Sequence, residues 1–186
     1  MDNFSYLSVL ISIVLGLGIT QILSGFGRWV ENRATFPAYA PSIVWAVLLL
    51  IMHVQTWWSM YGLRQHERWT FLQFFVVLLQ PIVLYLLSSL VLPSQSCAVA
   101  DLKSNYSAQR RWFFGLLMAL LAVSVVRDVV LTGALPSNEN LAFHGLFLVL
   151  AVGGLITASE WVHRCIALLS AGTIGLYITF LFYLLN

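Results

Sequence analysis

Six long apolar runs, separated by short polar segments, dominate this sequence of 186 residues. They lie near 5–27, 41–63, 70–92, 112–133, 141–158 and 162–185. A helix that crosses the hydrocarbon core of a bilayer needs about 20 predominantly apolar residues, and each run comes close to that length. The runs are continuous rather than alternating, which argues against a transmembrane β-barrel. The sequence therefore predicts an all-α, polytopic transmembrane bundle of about six spans, with residues 1–186 forming a single integral membrane domain.

Charge is too scarce to cover a surface that faces water. Charged residues make up 9% of the chain and hydrophobic residues 60%, whereas soluble domains have about 25% and about 45–50%. This composition argues against a soluble enzyme, a disordered protein and a nucleic-acid-binding protein. We therefore expect the lipid bilayer to surround the chain, and we expect no nucleic-acid partner.

The loops differ in their basic residues, and this difference predicts an orientation. The second and fourth loops hold two basic residues, Arg64 and Arg68, whereas the first, third and fifth loops and their edges hold six. Cytoplasmic loops of membrane proteins carry the excess of Lys and Arg. We therefore predict that the odd loops are cytoplasmic and that both termini lie on the outer side. The six residues are Arg28, Arg33, Lys103, Arg110, Arg111 and Arg164.

Two charged side chains, those of Arg127 and Asp128, lie well inside a predicted span. A charge at the centre of a span costs about 2.5–3.5 kcal/mol on insertion scales, so such residues usually face protein or water. The two positions are about 100° apart on a helix, and their side chains leave it in different directions. Two interpretations stay open. The residues are either a structural pair, with Arg127 reaching towards the headgroups, or part of a substrate or ion pathway.

The second span has a short polar stripe that should face the interior of the bundle. His53 and Thr56 lie along this stripe, and His53 is close to the centre of the span. A histidine that titrates can relay protons or bind an anion, whereas a neutral one can simply bond to a neighbouring helix. Gln21 in the first span has a similar pair of interpretations, helix packing or ligand contact.

Gln80 and Pro81 stand in the middle of the third span. A proline removes a backbone donor and leaves the carbonyl four residues earlier, that of Val77, without its helical partner. Interrupted helices at mid-depth mark binding sites in transporters, although prolines are also ordinary in membrane helices. The candidate lining of a polar interior is therefore Gln21, His53, Thr56, Gln80, Arg127 and Asp128.

Tryptophans lie near the predicted ends of the spans, which is typical of the aromatic belts at membrane interfaces. Trp57 and Trp58 occupy one such end, and Tyr61 follows them. These three residues have a second interpretation, an aromatic cage for a ligand.

Small residues recur at every fourth position in the first and sixth spans. Residues at this spacing form a stripe along a helix, and small side chains let helix backbones approach closely within a membrane. The stripes predict helix packing, either within the chain or with another copy or a partner protein. They include Ser12, Gly16 and Thr20 in the first span and Ala167, Ala171 and Gly175 in the sixth.

A short echo relates the two halves of the sequence. Leu23-Ser24-Gly25 ends the first span, and Leu131-Thr132-Gly133 ends the fourth. Two three-span halves of opposite orientation are the pattern of inverted-repeat transporters. A weak 3+3 inverted repeat is one hypothesis, and a chance match in apolar sequence is the other.

Familiar catalytic motifs are absent from the sequence. It has no HExxH zinc motif, no GxSxG nucleophile motif and no Walker lysine loop. His53 and His144 come closest to a pair that could hold a haem, but their predicted depths differ. We predict no metal and no cofactor. Enzyme activity stays undecided, with the balance against it, and an intramembrane enzyme or redox subunit is the lowest-ranked hypothesis.

One resemblance rests on the opening stretch from Tyr6 to Arg28, on His53-Val-Gln-Thr-Trp-Trp58 and on Trp69-Thr-Phe. In these segments the chain resembles a group of small six-span bacterial membrane proteins of uncharacterised function. The resemblance covers the first half of the chain best. It implies a bacterial inner-membrane setting and carries no activity.

Two function classes fit these observations. The leading hypothesis is a small-solute or ion transporter or channel with a polar interior at mid-membrane. The alternative is a non-catalytic subunit or scaffold of a larger membrane complex, which docks through the small-residue stripes. Transport requires a water-accessible cavity that reaches His53 and Arg127, whereas a scaffold requires a partner protein or a homo-oligomer.

Overall fold

A computed structural model describes residues 3–34, 37–65, 69–93 and 101–184 of the chain. Within these residues, all six α-helices are long and apolar enough to cross a membrane. This finding confirms the predicted all-α bundle and supports a multi-pass membrane protein. The helices are α1 (Asn3–Glu31), α2 (Ala40–Ser59), α3 (Phe71–Val91), α4 (Leu102–Thr132), α5 (Asn138–Ile156) and α6 (Glu160–Leu184), and a 3₁₀ segment, Met60–Gln65, follows α2.

The observed helices lie close to the predicted spans, except that α4 begins at Leu102, well before the predicted start at position 112. Its added segment is too polar for a hydropathy argument, yet it buries Leu102, Asn105 and Tyr106 on one helical face. The Asp101 side chain starts the helix, because it accepts a hydrogen bond from the Ser104 backbone N–H at 2.6 Å. Two positions used in the predictions, Arg68 in the second loop and Leu185 at the end of the sixth span, lie outside the described residues.

Local sequence also explains two further helix ends. At the start of α3, Thr70 and Gln73 form a reciprocal capping box, with hydrogen bonds of 3.3 Å and 3.0 Å. At the end of α4, Gly133 takes a φ of 71° and donates its N–H to the Val129 carbonyl. That left-handed conformation favours glycine, so Gly133 fixes where α4 stops.

Helices α2 to α6 form a closed ring, in which each helix packs against the next and α6 packs against α2. Helix α1 stands outside this ring, against α2 and α3. Its inward face carries Leu7, Ile11, Leu15 and Ile22, all of which are buried. The ring therefore has an interior of its own, bounded by five helices.

The two ends of the ring are named here by what they contain. The closed end holds the starts of α2, α4 and α6 and the end of α5, where aromatic side chains fill the interior. The open end holds the end of α2 with its 3₁₀ segment, the start of α3, the end of α4 and the start of α5, where two cavities lie.

The two halves of the chain pack differently. Helices α1 and α3 share an extensive interface, whereas the backbones of α4 and α6, their counterparts in an inverted repeat, stay further apart in the described part of the chain and meet through side chains such as those of Tyr106 and His163. The helix packing therefore does not follow the 3+3 symmetry that the short sequence echo suggested.

The outer surface of the bundle is strongly apolar. Leu17, Val149, Leu168 and Leu176 are each more than half exposed. Soluble monomers rarely expose contiguous apolar patches of large area, whereas a bilayer requires them. This surface agrees with a chain surrounded by lipid.

Candidate functional site

Arg127 on α4 joins two other polar side chains at the open end. Its Nη1 donates to the Gln80 side-chain oxygen at 2.6 Å, which links α4 to α3. Its Nε and Nη2 both donate to Asp128 Oδ1, at 3.1 Å and 2.8 Å. The Arg127 and Asp128 side chains are 20% and 25% exposed, so this ion pair is largely withdrawn from solvent. Gln80, Arg127 and Asp128 are called the Arg127 bridge below.

The Arg127 bridge shows how two neighbouring residues of one helix can still pair. Arg127 and Asp128 do leave α4 in different directions, as neighbours on a helix must. The long Arg127 side chain nevertheless turns back far enough to reach the Asp128 carboxylate, and it also reaches Gln80 on the next helix. The structure therefore combines pairing within α4 with a contact across the bundle.

The larger cavity, called the vestibule, has a volume of about 420 Å³ and lies inside the ring. Side chains from all five ring helices line it, and it is not fully enclosed, since Trp58, Tyr61 and Gly62 at its rim are exposed. Its walls carry the aromatic rings of Phe143, Phe147 and Tyr177. Its polar lining consists of Gln55, Thr56, Ser59, Gln80, Ser124, Arg127, His144 and Tyr177.

A second, side cavity of about 330 Å³ lies between the ring and α1. Ile11 of α1 lines it, together with Val77 and Pro81 of α3 and Asp128 of α4. Because Pro81 lacks an N–H, the Val77 carbonyl beside this cavity has no helical donor. Helix α3 nevertheless continues through Pro81 without a break.

The Arg127 bridge lies where the two cavities adjoin. Gln80 and Arg127 line both of them, and so do Thr56, Ser59 and Gly62. Asp128 lines the side cavity and, among the residues described, is not part of the vestibule wall. The Arg127 guanidinium therefore lines the vestibule, whereas the Asp128 carboxylate that balances its charge lines only the side cavity among the described residues.

A buried polar cluster seals the closed end. The His163 Nε2 lies 2.9 Å from the Thr157 carbonyl oxygen, and because a carbonyl only accepts, Nε2 carries a proton. In the neutral ring Nδ1 is then an acceptor, and the Tyr106 hydroxyl donates to it at 3.0 Å. Arg110 donates to the same Thr157 oxygen and so satisfies the end of α5.

Aromatic rings fill the space around this cluster. Trp45 packs edge-on against Phe113 and Phe114, and Phe114 also packs against the His163 ring. Gly154 on α5 makes this possible, because a Cβ at that position would overlap the ring of Phe114. Trp45, Tyr106, Phe113, Phe114 and His163 are called the aromatic plug below.

The surface of the closed end carries an exposed ion-pair network. Glu160 bonds to Lys103 and to Arg164, each at 2.7 Å. Glu160 and Arg164 are four residues apart on α6, a spacing at which opposite charges pair, whereas the Lys103 contact joins residues far apart in sequence. The network lies outside both cavities, so it adds to the surface and not to the candidate site.

His53 lies between α2 and α1 and not in the ring interior. It is fully buried, and its Nδ1 donates to the Leu49 carbonyl at 2.7 Å. The other edge of the ring presses on Gly18, where a Cβ would overlap Nε2. Among the described residues, Nε2 has no hydrogen-bond partner. His53 and Gln21, which is half-buried on α1, thus stand apart from the four predicted residues that line a cavity, Thr56, Gln80, Arg127 and Asp128.

The small-residue stripes lie on different surfaces in the two helices. Ser12, Gly16 and Thr20 are exposed on the outward face of α1, and no described heavy atom comes within 4 Å of a Cβ placed on Gly16. In α6, Ala167 is buried and Ala171 half-buried, whereas Gly175 is exposed. Packing of the α1 stripe against another chain or another copy therefore stays a prediction.

Several residues of the vestibule escaped the sequence reasoning. Gln55 lies off the polar stripe of α2, and the sequence marks His144 only as a possible haem ligand paired with His53. Ser124 shares a helical face with Asp128, which was the one signal that pointed to it. Phe143 and Tyr177 pack edge-on, with ring centroids 5.2 Å apart, and no local pattern relates these residues of α5 and α6.

No protein-family model, curated protein or solved structure matches the chain. Within the described residues, no group of three or more His, Cys, Asp or Glu side chains could hold a metal ion. The chemistry available at the open end is therefore hydrogen bonding, one ion pair and aromatic contact.

Proposed function

We propose that the chain is a small-solute transporter and that the vestibule is its solute-binding site. The observation that carries this proposal is a cavity of about 420 Å³ inside a ring of five membrane-length helices, with Arg127 and Gln80 in its wall. Arg127 lies about 7–8 Å along α4 from the last residue of that helix. The part of the vestibule that Arg127 and Gln80 line, called its polar head below, is therefore within the span. Ionisable residues at such depth usually face a water-filled pathway or a polar partner.

The aromatic plug favours a transporter over an open pore. Trp45, Phe113 and Phe114 leave the ring interior filled at the closed end, where His163 is also buried. A cavity that is open on one side and packed on the other is the arrangement expected of one state in alternating access. Passage would then require the plug to separate, and Gly154 and the Thr157 carbonyl mark where α5 would part from α4 and α6.

Osmotic swelling of proteoliposomes tests this proposal. Vesicles that contain the purified protein are mixed with urea, acetamide or glycerol, and light scattering follows solute entry. Leu121→Trp places a large ring in the vestibule wall, whereas Leu168→Trp makes the same change on the outer surface. We expect faster entry of at least one solute with the wild-type protein and with L168W than with L121W.

Two outcomes of the swelling assay would contradict the proposal. If wild-type vesicles take up each solute at the rate of protein-free vesicles, the vestibule does not conduct small solutes. If L121W and L168W conduct alike, solutes do not pass through the vestibule.

We also propose that the protein resides in a bacterial inner membrane with the open end and both termini outside. The excess of basic residues at the closed end, including Arg28, Arg110 and Arg164, supports this orientation. With Cys97 and Cys165 replaced by Ser, Ala134→Cys and Ser159→Cys place single thiols at opposite ends. An impermeant thiol reagent added to intact cells should label A134C and spare S159C, and the reverse pattern would invert the orientation.

A second candidate function is a scaffold that docks through α1. Ser12, Gly16 and Thr20 are exposed on a face that no other described helix covers, and this favours the scaffold. Oxidative cross-linking of Gly16→Cys in membranes tests it, with Leu168→Cys as an exposed control. A specific adduct of G16C with itself or with another protein supports the scaffold, and equal behaviour of the two thiols argues against it.

A further inference from the structure

The polar head of the vestibule carries no net charge. The positive charge of Arg127 faces the cavity, but the Asp128 carboxylate lies 2.8 Å from its Nη2 and balances it. A charged solute bound there would add an unbalanced charge to a largely buried site, which is costly. An uncharged solute adds none.

The hydrogen bonds within the Arg127 bridge do not use all the N–H donors of Gln80 and Arg127. The Gln80 side-chain oxygen accepts from Arg127, so both N–H groups of the Gln80 amide remain for other partners. The guanidinium has five N–H groups, and the bridge uses three. This part of the vestibule therefore needs an acceptor from the solute.

His144 has the complementary requirement. Its Nδ1 lies 2.7 Å from the Asn140 carbonyl oxygen, and because that oxygen only accepts, Nδ1 carries the proton of the neutral ring. The Nε2 of His144 is then an acceptor. Since His144 lines the vestibule, it needs a donor from the solute.

The remaining walls are apolar and aromatic. Leu120, Phe143 and Phe147 lie in the wall, and Trp58 stands at the rim. The volume of about 420 Å³ falls in the usual range of small-molecule sites, roughly 300–1,000 Å³. The body of a matching solute is therefore apolar or aromatic.

We propose that the vestibule binds uncharged solutes that carry one acceptor and one N–H or O–H donor on an apolar or aromatic body, of which a carboxamide is the simplest. The carbonyl accepts from Gln80 and Arg127, and the N–H donates to His144. An anion meets the Asp128 carboxylate behind the guanidinium, and a cation meets the guanidinium itself. This inference rests on the proposed function, since it names the substrate class of the same site.

Three probes of nearly equal shape test the charge preference directly. Phenylacetamide is neutral, phenylacetate is an anion and 2-phenylethylammonium is a cation at pH 7.5. Binding of each to the purified full chain in lipid nanodiscs is measured by calorimetry. We expect phenylacetamide to bind at least tenfold more tightly than either ion, and L121W, but not L168W, to lose it. Equal binding, tighter binding of an ion or no binding of any probe overturns the proposal.

A charge switch at Asp128 sharpens the test. Asp128→Asn leaves the Arg127 charge unbalanced, so we expect phenylacetate to gain more than the tenfold or greater deficit that it has in the wild-type protein and to overtake phenylacetamide. The double variant R127Q/D128N is neutral again, and we expect it to reject both ions as the wild-type protein does. If D128N leaves the preference unchanged, charge balance at the bridge does not select the solute. The comparison of probes on the wild-type protein stands even if a variant fails to fold.

The failures of the two proposals are distinguishable. Selective binding of phenylacetamide without entry into vesicles contradicts transport and retains the site. Solute entry that L121W blocks, together with binding that ignores probe charge, retains transport and contradicts this substrate class.

Discussion

The two ends of the helix ring use similar residues to opposite effect. Each has an arginine that reaches from α4 to another helix and a histidine with Nδ1 in a hydrogen bond. At the closed end both His163 nitrogens are bonded and aromatic rings fill the space between helices. At the open end the corresponding space is a cavity, and His144 keeps one nitrogen available to it. Polar groups at membrane depth thus help to seal the helix bundle where aromatic side chains surround them, and they line a cavity where aromatic side chains leave the space open.

The largest effect should come from breaking the aromatic plug at Gly154. In Gly154→Ala the new methyl group overlaps the Phe114 ring, which is fully buried. Overpacking of this kind typically costs about 1–3 kcal/mol, and we expect a value in the upper half of that range. The free energy of unfolding in detergent, from denaturant titration, measures it.

Gly145→Ala is the matched control on the same helix. No described heavy atom lies within 4 Å of a Cβ at position 145, and alanine is the better helix former by about 1 kcal/mol. G145A should therefore be neutral or slightly stabilising. Equal stability of G154A and G145A would mean that Phe114 is not packed as described.

A somewhat smaller effect should follow from unbalancing the open end. Arg127→Gln leaves the Asp128 carboxylate without its cation, and removal of one partner of a fully buried pair costs about 3–5 kcal/mol. Because the two side chains are 20% and 25% exposed, we expect a discounted loss of about 2 kcal/mol. The thermal unfolding midpoint of the purified protein follows this loss.

The double variant R127Q/D128N decides the cause of that loss. It removes both charges, so it should recover most of the stability that R127Q loses. If R127Q and the double variant are equally unstable, the Gln80 contact and not the unpaired carboxylate accounts for the effect.

The smallest of these effects should come from the Tyr106 hydroxyl. Tyr106→Phe keeps the ring in the plug but leaves the His163 Nδ1 buried without its donor. An unsatisfied buried acceptor costs about 1–3 kcal/mol, and for a single hydroxyl we expect about 1 kcal/mol. Tyr61→Phe at the exposed rim of the vestibule is the control and should change stability by less than about 0.5 kcal/mol. Equal losses in the two variants would contradict a sealed closed end.

The sequence predicted the helices of this fold better than it predicted which helices contact each other. Apolar runs predicted six helices, because the length of a membrane helix is set by the bilayer. The stripe of α2, the interruption in α3 and the charges of α4 also pointed to residues that line a cavity, namely Thr56, Gln80 and Arg127. Periodicity indicates which residues share a face, but it does not indicate which helix that face meets.

The residues whose contacts differ from the sequence-based expectation illustrate this limit. His53 shares the stripe of Thr56, yet its ring turns to Gly18 on α1, because a glycine there leaves the space. Gly16 and Thr20 form a regular stripe, yet α1 buries the opposite face through larger side chains. The contact of Tyr106 with His163 joins helices distant in sequence, and no spacing rule predicts such a pair.

The most direct test of the difference between the two ends is water access at matched serines. Ser124 lines the vestibule, and Ser42 is fully buried at the closed end beside the Leu102 carbonyl. With Cys97 and Cys165 replaced by Ser, the variants Ser124→Cys and Ser42→Cys are treated in nanodiscs with a water-soluble thiol reagent. We predict that S124C reacts at least ten times faster than S42C, because water reaches the vestibule and not the closed end. Equal rates, or faster reaction of S42C, would contradict this account.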